Sequence, residues 1–227
     1  MLYSYDHLET QTWTSEIGPT INSVPSDSFT ATLEPGNMLA ITNTNSAYMA
    51  GGLVTCKPVT PVGSNTLAFP YFGLDLDVYV APWDLPGIGR LEVDVKRWVT
   101  PAPNSSTQIA NIANCSSQWN RSTGQWQIDG NPPGWLSTGF KPVLPSSWTT
   151  LSFRYQMTST TFSVLSTSWG PISFEVSVSL QNVPLEVSNW GPSSGFAIQI
   201  QTENLVIGTT TVYVSNIKLS LSDQPIP

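Results

Sequence analysis

The sequence is poor in charge, in histidine and in cysteine, and each shortage closes a route to function. Only 10% of its 227 residues are Asp, Glu, Lys or Arg, against about a quarter in an ordinary globular chain. The eight basic residues are scattered, from Lys57 to Lys218, and the net charge is −7. No cluster exists to neutralise successive phosphates, so nucleic acid is not expected as a partner. His7 is the one histidine, and no Gly-x-Ser-x-Gly elbow is present to receive it in a Ser-His-Asp scheme. One His and two Cys cannot supply the four ligands of a structural zinc site. A glycine-rich phosphate loop is missing too. No apolar run approaches the roughly 20 residues of a membrane-spanning helix, and no membrane partner is expected. Pro and Gly interrupt every candidate helical stripe of useful length.

What is abundant is alternation. In Leu74-Asp75-Leu76-Asp77-Val78-Tyr79-Val80 the apolar residues fall on one face and the polar ones on the other. The same period of two recurs at 91–96, 151–157, 172–180, 196–201 and 212–219. Side chains alternate across a strand, so each segment reads as a half-buried antiparallel β-strand. Gly and Pro fall between these runs as turns. Many short strands without an internal repeat predict an all-β protein, a sandwich of two antiparallel sheets. No biased linker divides the chain, so residues 1–227 are expected to form one domain.

The N-terminal Met1-Leu2-Tyr3-Ser4-Tyr5-Asp6 has neither a basic nor an apolar leader region. It reads as the start of a mature chain, and a secreted, extracellular protein is expected. Cys56 and Cys115 would then form one disulfide, or stand as two buried thiols; sequence alone supports both.

Carboxylates and aromatics carry the functional hints. Asp75 and Asp77 share one strand face and Glu92 and Asp94 share another, so adjacent strands would gather four acids on one open surface. Paired carboxylates do the work of glycoside hydrolysis, and clustered ones also suit calcium in a structural role. No other cofactor is expected. Nine tryptophans are present, and Trp119, Trp126 and Trp135 punctuate a stretch rich in Gln, Asn, Arg and Asp. An indole beside fixed amides and carboxylates matches a sugar ring, apolar on its face and hydroxylated at its rim. Trp83 and Trp98 are further candidates.

Four stretches carry a resemblance to the concanavalin A-like jelly rolls, the fold of legume lectins, laminarinases and many carbohydrate-binding modules. They are residues 74–80, 91–95, 147–153 and 211–219. The resemblance implies a two-sheet jelly roll and a carbohydrate or polysaccharide partner. Laminarinase-type hydrolases carry a Glu-x-Asp-x-(x)-Glu strand, and Glu92-Val93-Asp94 matches its first two positions, with Lys96 where the last acid would stand. Glu92 would need its acid from another strand, for example Glu203 or Asp77. Alginate lyases of this fold use a Gln-x-His strand that this chain lacks.

The expectation is therefore a carbohydrate-binding groove on the polar sheet face, lined by Asp75, Asp77, Glu92, Asp94, Trp98, Trp119, Gln125, Trp126, Gln127 and Trp135. A glycoside hydrolase using Glu92 and Asp94 or another carboxylate is the alternative, and a structural surface protein is the third.

Overall fold

The computed structural model describes residues 2–17, 24–56, 69–99, 110–129, 134–157, 161–169, 172–174, 183–184, 186–188 and 195–227. In chain order the strands begin with β1 (Leu2–Tyr5), β2 (Trp13–Ile17), β3 (Val24–Pro25), β4 (Ser28–Glu34), β5 (Met38–Asn45) and β6 (Ala50–Cys56). The long central strands β7 (Tyr71–Val80) and β8 (Ile88–Val99) follow, then β9 (Ala110–Asn120), β10 (Gln125–Asp129) and β11 (Trp135–Ser137). The remainder comprises β12 (Thr149–Met157), β13 (Thr161–Trp169), β14 (Ile172–Phe174), β15 (Val183–Pro184), β16 (Glu186–Ser188), β17 (Gly195–Asn204) and β18 (Gly208–Ser222).

Two sheets share these strands in an antiparallel sandwich of the jelly-roll kind. The first runs β14-β13-β12-β7-β18-β5-β4, with β1 beside β18 and β15 beside β13. The second runs β11-β10-β9-β8-β17-β6-β2, with β16 beside β9 and β3 beside β6. Among the described residues only the short β3–β6 pair is parallel.

Alternation explains the layering. Leu74, Leu76, Val78 and Val80 of β7 point inward, as do Leu91, Val93 and Val95 of β8 and Ile198 and Ile200 of β17. Each large apolar side chain buried this way stabilises by roughly 1.5–3 kcal/mol. Aromatic rings join the layers: Phe72 of the first sheet meets Phe196 of the second at 5.6 Å, and Trp126 stacks on Phe153 at 6.0 Å.

The segment between β7 and β8 decides where the acids go. Pro82, Pro86 and a short 3-10 turn at Leu85–Gly87 carry the chain from one sheet to the other. Consequently β7 and β8 are not neighbours. Their polar faces look outward on opposite sides of the sandwich, so Asp75 and Asp77 do not join Glu92 and Asp94.

The N-terminal segment straps the first sheet. Buried Glu9 accepts a hydrogen bond from the Ile217 backbone N–H at 2.9 Å, beside the bulge where Asn216 takes a positive φ of 50°. His7 Nδ1 meets the same carboxylate at 3.0 Å.

Candidate functional site

The outward face of the second sheet is polar, and cross-strand register sets its pattern. Gln118 of β9, Glu92 of β8 and Gln201 of β17 stand in one row. Ser116, Asp94 and Gln199 form the next. Gln127 of β10 extends the first row beyond Gln118, and Ser137 of β11 lies beyond Gln127. On the same face Trp135 stands directly opposite Asp129, its indole half-buried. Arg90 opposes Glu203 one row further along.

These polar groups are sunk into the molecule. Asp94 and Gln118 are each 1% exposed, Glu203 3%, Gln199 7% and Glu92 8%. The Gln201 amide nitrogen donates to both acids, to Glu92 Oε1 at 3.1 Å and Asp94 Oδ2 at 2.8 Å. Burial pushes the Glu92 carboxyl well above its ordinary value, and the neighbouring Asp94 charge and a hydrogen bond shared with Asp94 add to it against the pull of Arg90. Asp94 is also pushed up by burial, opposed by Lys96 and by hydrogen bonds from Ser116 and Gln201. The pair therefore holds a proton into a higher pH range than two free acids would. Glu203, 3.9 Å from the Arg90 guanidinium, is raised by burial as well.

The candidate residues sort clearly by face. Glu92, Asp94, Gln125, Gln127 and Trp135 gather on the polar face of the second sheet. Asp75 and Asp77 lie on the outer face of the other sheet, already engaged: Asp75 pairs with Arg154 at 2.8 Å, and Asp77 accepts from Thr150 and Asn216. Asp77 is therefore no partner for Glu92. Trp126 is 1% exposed in the core, where it cannot stack on a ligand. Trp119 also faces inward, donating to the Pro142 carbonyl at 2.9 Å. Its edge lines a pocket of about 370 Å³ at one end of the sandwich, with Leu85, Arg121, Lys141 and Val143. Trp83, 79% exposed, sits in the β7–β8 connection and on neither sheet face. The side chain of Trp98 lies outside the described residues.

The disulfide is excluded by topology. Cys56 is a free, buried thiol, pushed up to about 11 by burial. Register places it in line with Ile198, Val95 and Cys115, three strand spacings apart. At about 4.8 Å per spacing, that separation is twice what a disulfide spans. The Cys115 side chain itself lies outside the described residues.

The residues missed from the sequence are Arg90, Gln118, Gln199 and Gln201, together with the placing of Glu203 beside them. The signal was there: Ile198-Gln199-Ile200-Gln201 alternates as strictly as Leu91-Glu92-Val93-Asp94. Reading the amides as well as the acids on the polar positions would have found the three glutamines. Among the described residues no three His, Cys, Asp or Glu gather to hold a metal ion.

No family model matches the chain, and no curated protein matches it in sequence. Several solved structures are similar to the chain at low identity. The CBM2 module of the evolved Dit protein of Lactobacillus casei BL23 phage J-1 is similar at 14% identity, with a TM-score of 0.49 over 100% of this chain and 99% of that one. The Emp46p carbohydrate recognition domain is 12% identical, with a TM-score of 0.48 over 99% and 97%. The alginate lyase Aly36B is 9% identical, with a TM-score of 0.46 over 87% and 85%. One sandwich hosts many functions, so the chemistry has to be read from the residues of this chain.

Proposed function

We propose that this chain is a secreted carbohydrate-binding domain that takes a sugar on the polar face of its second sheet. The observation that carries the reading is the half-buried Trp135 indole opposite Asp129, flanked by the amide row of Gln127 and Gln118. An indole offers the apolar face of a sugar a stacking surface, while amides and carboxylates in fixed positions meet its hydroxyls. The reading requires no cofactor.

Affinity electrophoresis through gels containing soluble β-glucan, mannan, xylan or chitosan tests it. Trp135→Ala is expected to weaken retention by about thirtyfold, the cost of losing a contact worth about 2 kcal/mol. Wild-type protein retained by no polysaccharide, or retention untouched in Trp135→Ala, would overturn the proposal.

Glycoside hydrolysis is the second reading, and the placing of Glu203 favours it. Glu92 and Asp94 are in direct contact, which leaves no room for a glycosidic oxygen between them. Glu203 stands diagonally across from Glu92 on the same face, a relation of about 7–8 Å between such positions, and hydrolase carboxylates work at about 5–9 Å. Both acids are raised by burial, as a general acid requires. Reducing-sugar release from the same polymers is expected to vanish in both Glu92→Gln and Glu203→Gln. Release that persists in either variant would remove that residue from the chemistry.

A further inference from the structure

The cavity of about 370 Å³ at the end of the sandwich differs in chemistry from the polar face. Its volume falls within the range of about 300–1,000 Å³ usual for small-molecule sites. The walls are the apolar side chains of Leu85, Trp119, Pro142, Val143 and Leu144. Arg121 and Lys141 bring the charge, and no acid lines the cavity among the described residues. A chain with 15 acids and 8 bases therefore sets cations alone around this space. Val143 is 81% exposed, and Arg121 and Lys141 are exposed too, so the rim is open to solvent.

Backbone bonding fixes both parts of the wall. The segment bearing Lys141, Pro142, Val143 and Leu144 is pinned on either side. The Phe140 carbonyl accepts from the Trp126 N–H of β10 at 2.9 Å, and the Pro145 carbonyl from the Val80 N–H of β7 at 2.9 Å. These anchors lie in different sheets, so the segment spans the end of the sandwich. Arg121 is held at three points. Its backbone N–H donates to the Gly89 carbonyl at 2.9 Å, its Nε to the Ile88 carbonyl at 2.8 Å, and a terminal nitrogen to the Leu85 carbonyl. Its guanidinium carbon lies 5.6 Å from the Trp119 ring centroid, within cation–π range. A guanidinium fixed in this way loses little freedom on meeting a ligand.

Hydrogen-bonding capacity narrows what can enter. None of the lining side chains is an acceptor, and the lining carbonyls of Leu85, Arg121 and Pro142 are already engaged, by Arg121, Gly124 and Trp119 respectively. Two of the N–H donors of Arg121 are bound to carbonyls. Neither its remaining donors nor the Lys141 ammonium meet a carboxylate among the described residues. The hydroxyl donors of a sugar would find few acceptors here, and an amine would be repelled. Inorganic phosphate would shed its hydration against aliphatic walls that return no hydrogen bond. A carboxylate on an apolar body suits both halves of the cavity. Its oxygens accept charge-assisted hydrogen bonds, and its body shields the walls from water.

We infer that this cavity is a second binding site, for a small organic acid whose carboxylate meets Arg121 and Lys141. An aryl or short alkyl body then covers Leu85, Pro142 and Val143. Such a site works independently of sugar binding on the polar face.

Ligand-detected NMR titration of the full chain at pH 7 and low ionic strength tests it with four probes. They are 3-phenylpropionate, its neutral amide, 3-phenylpropylamine and acetate. The acid is expected to bind at least about tenfold tighter than the amide, with the amine and acetate not binding. Val143→Asp sets a carboxylate at the exposed rim and is expected to weaken the acid at least about fivefold, while Val143→Asn leaves it within about twofold. Arg121→Gln is expected to erase the preference for acid over amide, with thermal melting as the check on folding. Equal affinity for acid and amide would overturn the role of the cations, and acetate binding as well as the acid would overturn the apolar body. An acid that binds Val143→Asp as tightly as wild type would overturn the location. Binding of none of the four would overturn the site.

Discussion

At Gly52 a single added methyl group would meet the ring of Phe29. An ideal Cβ there lies 2.5 Å from the ring carbons Cγ and Cδ2 and 2.9 Å from the Phe29 Cβ. The obstacle reaches back to the Phe29 Cβ, so swinging the ring alone does not clear it. Gly52 is held on both sides by backbone pairing, with Thr202 of β17 and Ile17 of β2, and cannot retreat. Gly52→Ala is therefore expected to cost about 1–3 kcal/mol, the usual penalty of overpacking a filled core. Urea denaturation checks it: a lowered midpoint at unchanged slope is the expected result, and an unmoved midpoint would show that the two strands yield. Nothing in the sequence marks this glycine, because its constraint comes from β4, a strand of the opposite sheet that packs across β6.

Elements were more legible than their neighbours. Strict alternation located β7, β8, β12, β17 and β18 and which of their residues face the core, because period-two burial is a local property of each strand. The segment around Trp119 and Trp126 shows where reading by composition misleads. Its mixture of indoles and amides suggests an open, turn-like platform. In fact β9 and β10 form a hairpin closed at Arg121–Gly124, with Gly124 at a φ of 64°. Within it Trp119 pairs with Trp126 on the core side, and Gln118 pairs with Gln127 on the polar side. Counting by twos from either Trp separates the two sets. Pairing between strands distant in sequence was not legible. Whether the four acids of β7 and β8 share a surface depends on whether residues 81–87 turn back as a hairpin or cross between sheets. Pro82, Pro86 and Gly87 are compatible with both. The same ignorance of neighbours left the cysteines open, since only the order β6-β17-β8-β9 separates them.

On the scale of the whole molecule, the buried acids should make stability fall as pH rises. Glu92, Asp94 and Glu203 have ordinary values of 4.5, 3.8 and 4.5, and burial raises all three. An unfolded chain ionises them near those values while the native protein still holds its protons. Between the unfolded and native values the native state binds more protons, so the unfolding free energy declines with pH. The contribution is fully present below the unfolded values and is lost as pH rises through the native ones, at about 1.4 kcal/mol per unit of upward shift for an isolated group. Melting temperature is thus expected to decrease from about pH 5 upward, and in Glu92→Gln/Glu203→Gln the slope should flatten. A wild-type melting temperature that climbs over the same range, or a variant with an unaltered slope, would contradict this.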